Sequence, residues 1–238
     1  MTTSSLDPAE TGRTATGSSG ARPGGRAAKR LAIVEGARTV FGREGYDRTS
    51  IEAIAAEASV STRTIYNHFA GKEQLFSDVV QASAGQVADA FAVTVEQQLT
   101  GTDPEADLVA LGLALVGQRT LFPRHFAMIR QIRTEASHFP PAVIDTWQQA
   151  GPLRVRHELT RRLERLAEAG LLRLDDPARA TVHFVALVSS EITLRAPGSP
   201  PLTPTETADS VAHGVAAFLH GYGAERPGPG GTGSRGPR

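Results

Sequence analysis

Thr49-Ser50-Ile51-Glu52-Ala53-Ile54-Ala55-Ala56-Glu57-Ala58-Ser59-Val60-Ser61-Thr62-Arg63-Thr64-Ile65-Tyr66-Asn67-His68-Phe69-Ala70-Gly71-Lys72-Glu73-Gln74-Leu75-Phe76 reads as two short helices joined by a tight turn and followed by a third. Ile51, Ile54, Ala55 and Ala58 recur at i, i+3, i+4 and i+7, which gives the first helix one apolar face, and Thr49 or Ser50 is placed to cap its first amides. Val60 plugs the turn. In the second helix Ile65 and Phe69 mark the inward face. At about 100° per residue, Asn67 points the opposite way, Arg63 and Thr64 lie beside it, and Tyr66 and His68 stand on the flanks. An outward face of Arg, Thr, Asn, Tyr and His without a carboxylate suits base edges and phosphate oxygens, and a helix-turn-helix sets such a second helix in the major groove.

With the helix before it, this stretch resembles the N-terminal domain of the TetR family of bacterial transcriptional regulators. The likeness covers roughly residues 26 to 80. It is carried by an ordered set: a helix ending in Phe41-Gly42-Arg43-Glu44-Gly45-Tyr46, then Thr49-Ser50-Ile51, Ile54-Ala55, Val60-Ser61, Ile65-Tyr66-Asn67-His68-Phe69 and Gly71-Lys72-Glu73-Gln74-Leu75-Phe76. Ser59 stands where the family commonly has a turn glycine, and a left-handed turn there costs serine roughly 1 kcal/mol more than glycine. Arg63 stands where many members carry a glycine or another small residue, which suggests a contact peculiar to this chain.

Pattern and resemblance together give Thr49, Ser61, Thr62, Arg63, Thr64, Tyr66, Asn67, His68 and Lys72 as the candidate DNA contacts. For Tyr66 the choice is between a phosphate contact by its hydroxyl and an aromatic buried beside Ile65. Lys72 at a helix start makes either a phosphate site together with the helix N-terminus or a solvated charge. Arg63 is open between base edge, phosphate and solvent. His68 suits a phosphate or a packing role better than a titrating switch.

Outward from this motif the chain reads as all-α. A first helix is expected from about Arg26 to Glu44, with Ala27, Leu31, Val34, Arg38 and Phe41 along one stripe and Gly45 ending it. A fourth helix opens at Gly71-Lys72 and carries Leu75, Val79, Val87, Phe91, Val95 and Leu99, long enough to pass from a small domain into a larger one. Asp103-Pro104 starts a fifth, nearly all-apolar and so central; Phe122-Pro123 breaks it, and a sixth runs to about Ser137. Pro140-Pro141 starts the next. Leu153 to Ala169 is amphipathic, with Glu158 and Arg162 spaced i, i+4 and a charged face expected to be solvated. Asp176-Pro177 opens a helix to about Arg195, and Glu206 to Tyr222 closes the fold. The expected division is a disordered arm over 1–25, a DNA-binding domain over 26–75, a regulatory and dimerisation domain over 76–225, and a disordered tail over 226–238, the two ends being dominated by Gly, Ser, Thr, Ala and Pro.

Composition narrows the function further. The 238 residues contain no cysteine, which removes disulfides, thiolate chemistry and cysteine-held metals. Without a signal-like stretch or an apolar run longer than Leu108 to Gly117, the expectation is a soluble, cytoplasmic protein with no membrane partner. Net charge is zero, but Arg22 to Phe76 holds nine basic residues against six acidic, a local excess in keeping with phosphate contacts. Both lysines, Lys29 and Lys72, lie there. No Gly-x-Ser-x-Gly, Walker-type or His-Glu-x-x-His pattern occurs, so an enzyme is not expected, nor a cofactor, a catalytic residue or a metal site.

The larger part resembles the C-terminal ligand-binding domains of TetR-type regulators. Arg133-Thr134-Glu135-Ala136-Ser137-His138-Phe139-Pro140, with Gly170-Leu171-Leu172 and Asp176-Pro177, is similar to an AefR-like subset over about residues 110 to 195. The resemblance implies a homodimer in which the last two helices, with Val215 and Phe218 among their apolar residues, build a four-helix bundle with the partner. It also implies a pocket. Phe126, Arg130, Glu135, His138 and Trp147 mix polar groups with aromatics as a ligand site requires, although such aromatics are more often plain core. The expectation is therefore a homodimeric repressor that binds a palindromic double-stranded operator and is released by a small molecule. The alternative is a constitutive regulator, or an activator, without an effector.

Overall fold

Ten helices run through the residues described by the computed structural model, which are 25–101, 103–134, 139, 141–196 and 198–223. They are α1 (Gly25–Glu44), α2 (Ile51–Glu57), α3 (Thr62–Tyr66), α4 (Lys72–Gln98), α5 (Pro104–Leu121), α6 (Pro123–Thr134), α7 (Pro141–Ala150), α8 (Pro152–Glu168), α9 (Pro177–Thr193) and α10 (Pro204–Tyr222). The all-α reading holds. Among the described residues the β pairing is a single bridge, Leu172 with Gly223, which ties the end of α10 to the loop after α8.

Local chemistry sets the helix starts. Ser50 and not Thr49 caps α2, its hydroxyl accepting from Ala53 N at 3.1 Å, and Ser61 caps α3 through Thr64 N at 3.1 Å. Asp103 and Asp176 cap α5 and α9, each followed by a proline that needs no amide partner. The last helix begins earlier than Glu206. Thr203 and Glu206 form a reciprocal capping box, each serving the other's backbone amide, so the helix starts at Pro204.

Two apolar cores follow. The first joins α1, α2, α3 and the start of α4 to Met128, Ile129 and Ile132 of α6 and Val143 of α7. Phe76 stacks on Phe139 with centroids 5.0 Å apart and meets Phe41 edge-on at 4.8 Å. The second gathers the far half of α4, from Phe91, with α5, α8, α9 and α10. The stripe expected on α1 holds at Val34 and Phe41, but Ala27 and Leu31 are exposed and the buried face widens to Ile33, Ala37 and Val40. The reason is Gly36, where a Cβ would stand 2.9 Å from Ala58 Cβ, so α1 meets α2 along its glycine side.

Two further expectations are corrected. The charged face of α8 is not simply solvated. Arg162 is largely buried and bonds both Glu158 Oε1 at 2.7 Å and Glu96 Oε2 of α4 at 2.6 Å, and Arg154 pairs with Asp89 of α4. Val215 and Phe218 are fully buried inside their own subunit, where Phe218 meets Phe184 edge-on at 5.3 Å, so they are not available to a partner.

The turn between α2 and α3 is the tightest local constraint. Val60 N donates to Ala55 O at 2.9 Å and Ser59 N to Ala56 O at 3.2 Å, the paired bonds of a Schellman ending, and Ser59 takes the left-handed φ of 53°. A serine there is strained by about 1–2 kcal/mol, while a glycine loses roughly 0.5–1 kcal/mol more entropy on folding. Ser59→Gly should therefore raise unfolding free energy by about 0.5 kcal/mol in urea melts. A loss of stability would contradict the turn geometry.

Candidate nucleic-acid interface

The recognition helix α3 has five residues, too few to persist alone, so its position comes from Ile65 and Phe69, both buried in the first core. Ser61 at its start bonds Thr64 twice, hydroxyl to amide and hydroxyl to hydroxyl at 2.9 Å, which closes the first turn. With Ile65 inward, Arg63 and Asn67 face out and are exposed, Tyr66 stands on one flank at 58 % exposure, and Thr64 and His68 are half-buried on the other. Of the two choices for Tyr66, burial is overturned. Arg63 makes no ion pair or hydrogen bond through its side chain with the described residues. Its guanidinium thus keeps all five donors for a ligand.

Two of the candidate contacts are engaged within the protein. Thr49 is 3 % exposed and donates its hydroxyl to Gly45 O at 2.6 Å; it braces the turn after α1 and offers no surface. Lys72 points inward. Its Nζ donates to Tyr46 O at 2.9 Å and Thr49 O at 3.1 Å, with Asp47 O at 3.4 Å, and lies 4.4 Å from the centre of the Tyr46 ring. It gathers the carbonyls of the α1–α2 connection and so fixes α2 against α4. The signal for this was Tyr46 in the Gly45-Tyr46-Asp47 turn, which sequence reading used only as a helix ending.

Of the candidate ligand residues in the body, Phe126 and Arg130 lie on α6 and Trp147 on α7. Phe126 is half-buried, edge-on to His125 at 5.1 Å with the Arg119 guanidinium 5.8 Å from its centre. Arg130 is exposed on the same helix, and Trp147 packs against the first core. Glu135 and His138 lie outside the described residues. Three buried polar groups stand out in their surroundings. His125 is buried, shares a 2.9 Å hydrogen bond with Ser83 of α4, and is pushed down to about 4 by burial and by the Arg38 cation, so it is neutral near pH 7. Trp147 Nε1 and Gln118 Oε1 are buried with no hydrogen-bond partner among the described residues. The His125 partner, Ser83, is 42 residues away in the chain, and a local spacing rule does not contain it.

Among the described residues no helix is long and apolar enough to cross a membrane, and no group of three or more His, Asp or Glu is placed to hold a metal ion. A capped two-helix motif carrying an exposed polar recognition helix on an all-α body defines a helix-turn-helix DNA-binding transcriptional regulator. Residues 33–79 match the bacterial regulatory proteins of the tetR family, and residues 106–224 match the AefR-like transcriptional repressor C-terminal domain. The chain belongs to the TetR family. It is 30% identical over 117 residues to the HTH-type transcriptional regulator TcmR of Streptomyces glaucescens, a match that takes in 48% of this chain and 50% of that one, so the match spans about half the length of this curated relative. A putative TetR-family regulator from Mesorhizobium loti superposes with a TM-score of 0.76 at 28% identity, over 85% of this chain and 100% of the other. The flavonoid-responsive regulator FrrA does so at 0.64 with 25% identity, over 83% and 98%.

The Lys72 geometry has a direct consequence. Charge-assisted hydrogen bonds are worth about 1.5–3 kcal/mol, so Lys72→Met should cost about 1–2 kcal/mol of stability with no DNA present, read by urea denaturation. If the variant instead melts like the parent and loses only DNA affinity, the ammonium belongs to a phosphate after all.

Proposed function

We propose that the chain is a homodimeric repressor that occupies an inverted-repeat operator and leaves it when a small molecule binds the body. The observation that carries the DNA part is the outward face of α3, where Arg63 and Asn67 stand exposed on a helix anchored by Ile65 and Phe69. In this reading Arg63 and Asn67 meet base edges, Thr64 assists, and Tyr66, Ser61, Thr62 and His68 hold the backbone on either side. Residues 26–75 are the reading head and 76–225 the regulatory and dimerisation part, with α4 common to both.

Dimerisation is supported by the outer surface of α9 and α10, where Val182, Ala186, Ala212 and Ala217 are exposed and small or apolar. The two helices lie so close that a Cβ on Gly214 would stand 2.6 Å from Leu187 O, so the pair could meet a second copy as one unit. Effector binding is supported by the unpaired Trp147 Nε1–H and Gln118 Oε1, a buried donor and acceptor of the kind a polar ligand satisfies. The family match to AefR-like repressors points the same way.

In vitro selection from a random duplex pool tests the DNA part. The expected product is an inverted repeat with half-sites about one helical turn, roughly 10 bp, or a multiple apart. Arg63→Ala should relax one base position in each half-site at about 1–3 kcal/mol per contact; a uniform loss on all duplexes would reassign Arg63 to the backbone. For release, a metabolite screen should find a compound that changes the fluorescence of Trp147, the single tryptophan of the chain, and weakens operator binding over the same concentrations. A compound that shifts Trp147 emission and leaves DNA affinity untouched would sink the release mechanism and favour a constitutive regulator.

A further inference from the structure

On the Thr64 and His68 side of the recognition helix lies a groove whose other wall, on α1, carries none of the contacts assigned so far. Gly25, Arg26 and Lys29 of α1 face Thr64, Asn67 and His68 across about 530 Å³. A second hollow of about 500 Å³, lined by Arg26, Ala27, Arg30 and His68, adjoins it. No carboxylate lines either. Arg26 and Lys29 are exposed, and neither side chain makes an ion pair or hydrogen bond with the described residues.

The walls of this groove are held in place. Arg30, one position past Lys29, bonds Asp78 of α4 at 2.6 Å and lies 5.1 Å over the Phe69 ring, which fastens the first turns of α1 beside the end of α3. Further along, the contact of Gly36 with Ala58 sets how α1 crosses α2. Arg30 is thus committed to structure. Its neighbours Arg26 and Lys29 are positioned by it and left with their charges unspent.

We infer that this groove is a backbone clamp, in which Arg26 and Lys29 of α1 grip a phosphate of the DNA strand that borders the bases read by Arg63 and Asn67. The inference rests on α3 lying in the major groove. A helix with its side chains is about 10–12 Å across and the major groove about 12 Å wide, so each flank of an inserted helix abuts one phosphate wall. Tyr66 occupies one flank. The other carries Thr64 and His68, and behind them stand the two cations of α1. The clamp widens the footprint beyond α3 and fixes the reading head in register, while adding no base preference of its own.

The test compares the full-length chain with Arg26→Gln, Lys29→Gln and the double variant by anisotropy titration between 50 and 200 mM salt. The duplexes are one selected by the parent protein from a random pool and a scrambled one of equal length. Each lost cation should lower the salt slope by about 0.9 per bound subunit on both duplexes, so that its affinity deficit shrinks by about 3.5-fold across that salt range, with base preference unchanged. Melting curves should match the parent, because both side chains are exposed. Unchanged slopes and affinities would overturn the clamp. So would a loss confined to the selected duplex with a new base preference, which would make Arg26 or Lys29 a base reader. Arg63→Ala on the same duplexes reports separately on whether α3 enters the groove.

Discussion

The recognition helix has no stability of its own, and that constraint organises the reading head. Five residues close too few backbone bonds to repay the ordering of the chain, so the helix exists only because Ile65 and Phe69 are buried beneath it and Ser61 ties off its start. Everything around it serves this anchorage. The α2 ending delivers Val60 into the gap, Gly36 lets α1 close on Ala58, and Lys72 holds the carbonyls of the preceding connection. A polar face can be presented to DNA without cost to the fold because none of the outward residues is asked to pack.

Reading head and body share α4. Leu75, Phe76, Val79 and Val80 are buried in the first core and Phe91 and Val95 in the second, so one unbroken backbone ladder runs through both. Between them Ser83 meets His125, and Ala84 lies so near Gly151 that any side chain there would clash. Along the outer side, Asp89 and Glu96 receive Arg154 and Arg162 of α8. The Arg154 pair is exposed and so contributes little; Arg162, more buried and bonded twice, contributes more.

Much of this was legible in sequence, and the failures share a cause. Helix starts at Asp103-Pro104 and Asp176-Pro177 depend on neighbours within three residues, and those local signals were sufficient, while the α2 start was narrowed to Thr49 or Ser50. The strain at Ser59 was legible as well, because handedness at a turn is a property of the residue itself. The inward bonds of Lys72 to the α1–α2 connection and the pairing of Arg154 and Arg162 with Asp89 and Glu96 of α4 join segments distant in the chain, and a spacing rule does not contain them. Val215 and Phe218 were misread in a different way: an apolar stripe says that a face is covered, without saying whether the subunit or its partner covers it. Trp147 was named among the candidate ligand residues for its aromatic ring, but the unpaired state of its Nε1 and of Gln118 Oε1 is not legible in sequence, since an unpaired buried atom is defined only by what fails to reach it.

The length of α4 turns small events into large ones. Twenty-seven residues at 1.5 Å each make a rod of about 40 Å. A tilt of about 5° at its far end carries the near end through about 3.5 Å, close to the 3.4 Å rise of one base step. Two heads that grip one duplex and swing in opposite senses would then miss their sites by about two steps. The gain of this lever is set by geometry alone, so the proposed release needs no large rearrangement of the body to put Arg63 out of phase with the bases.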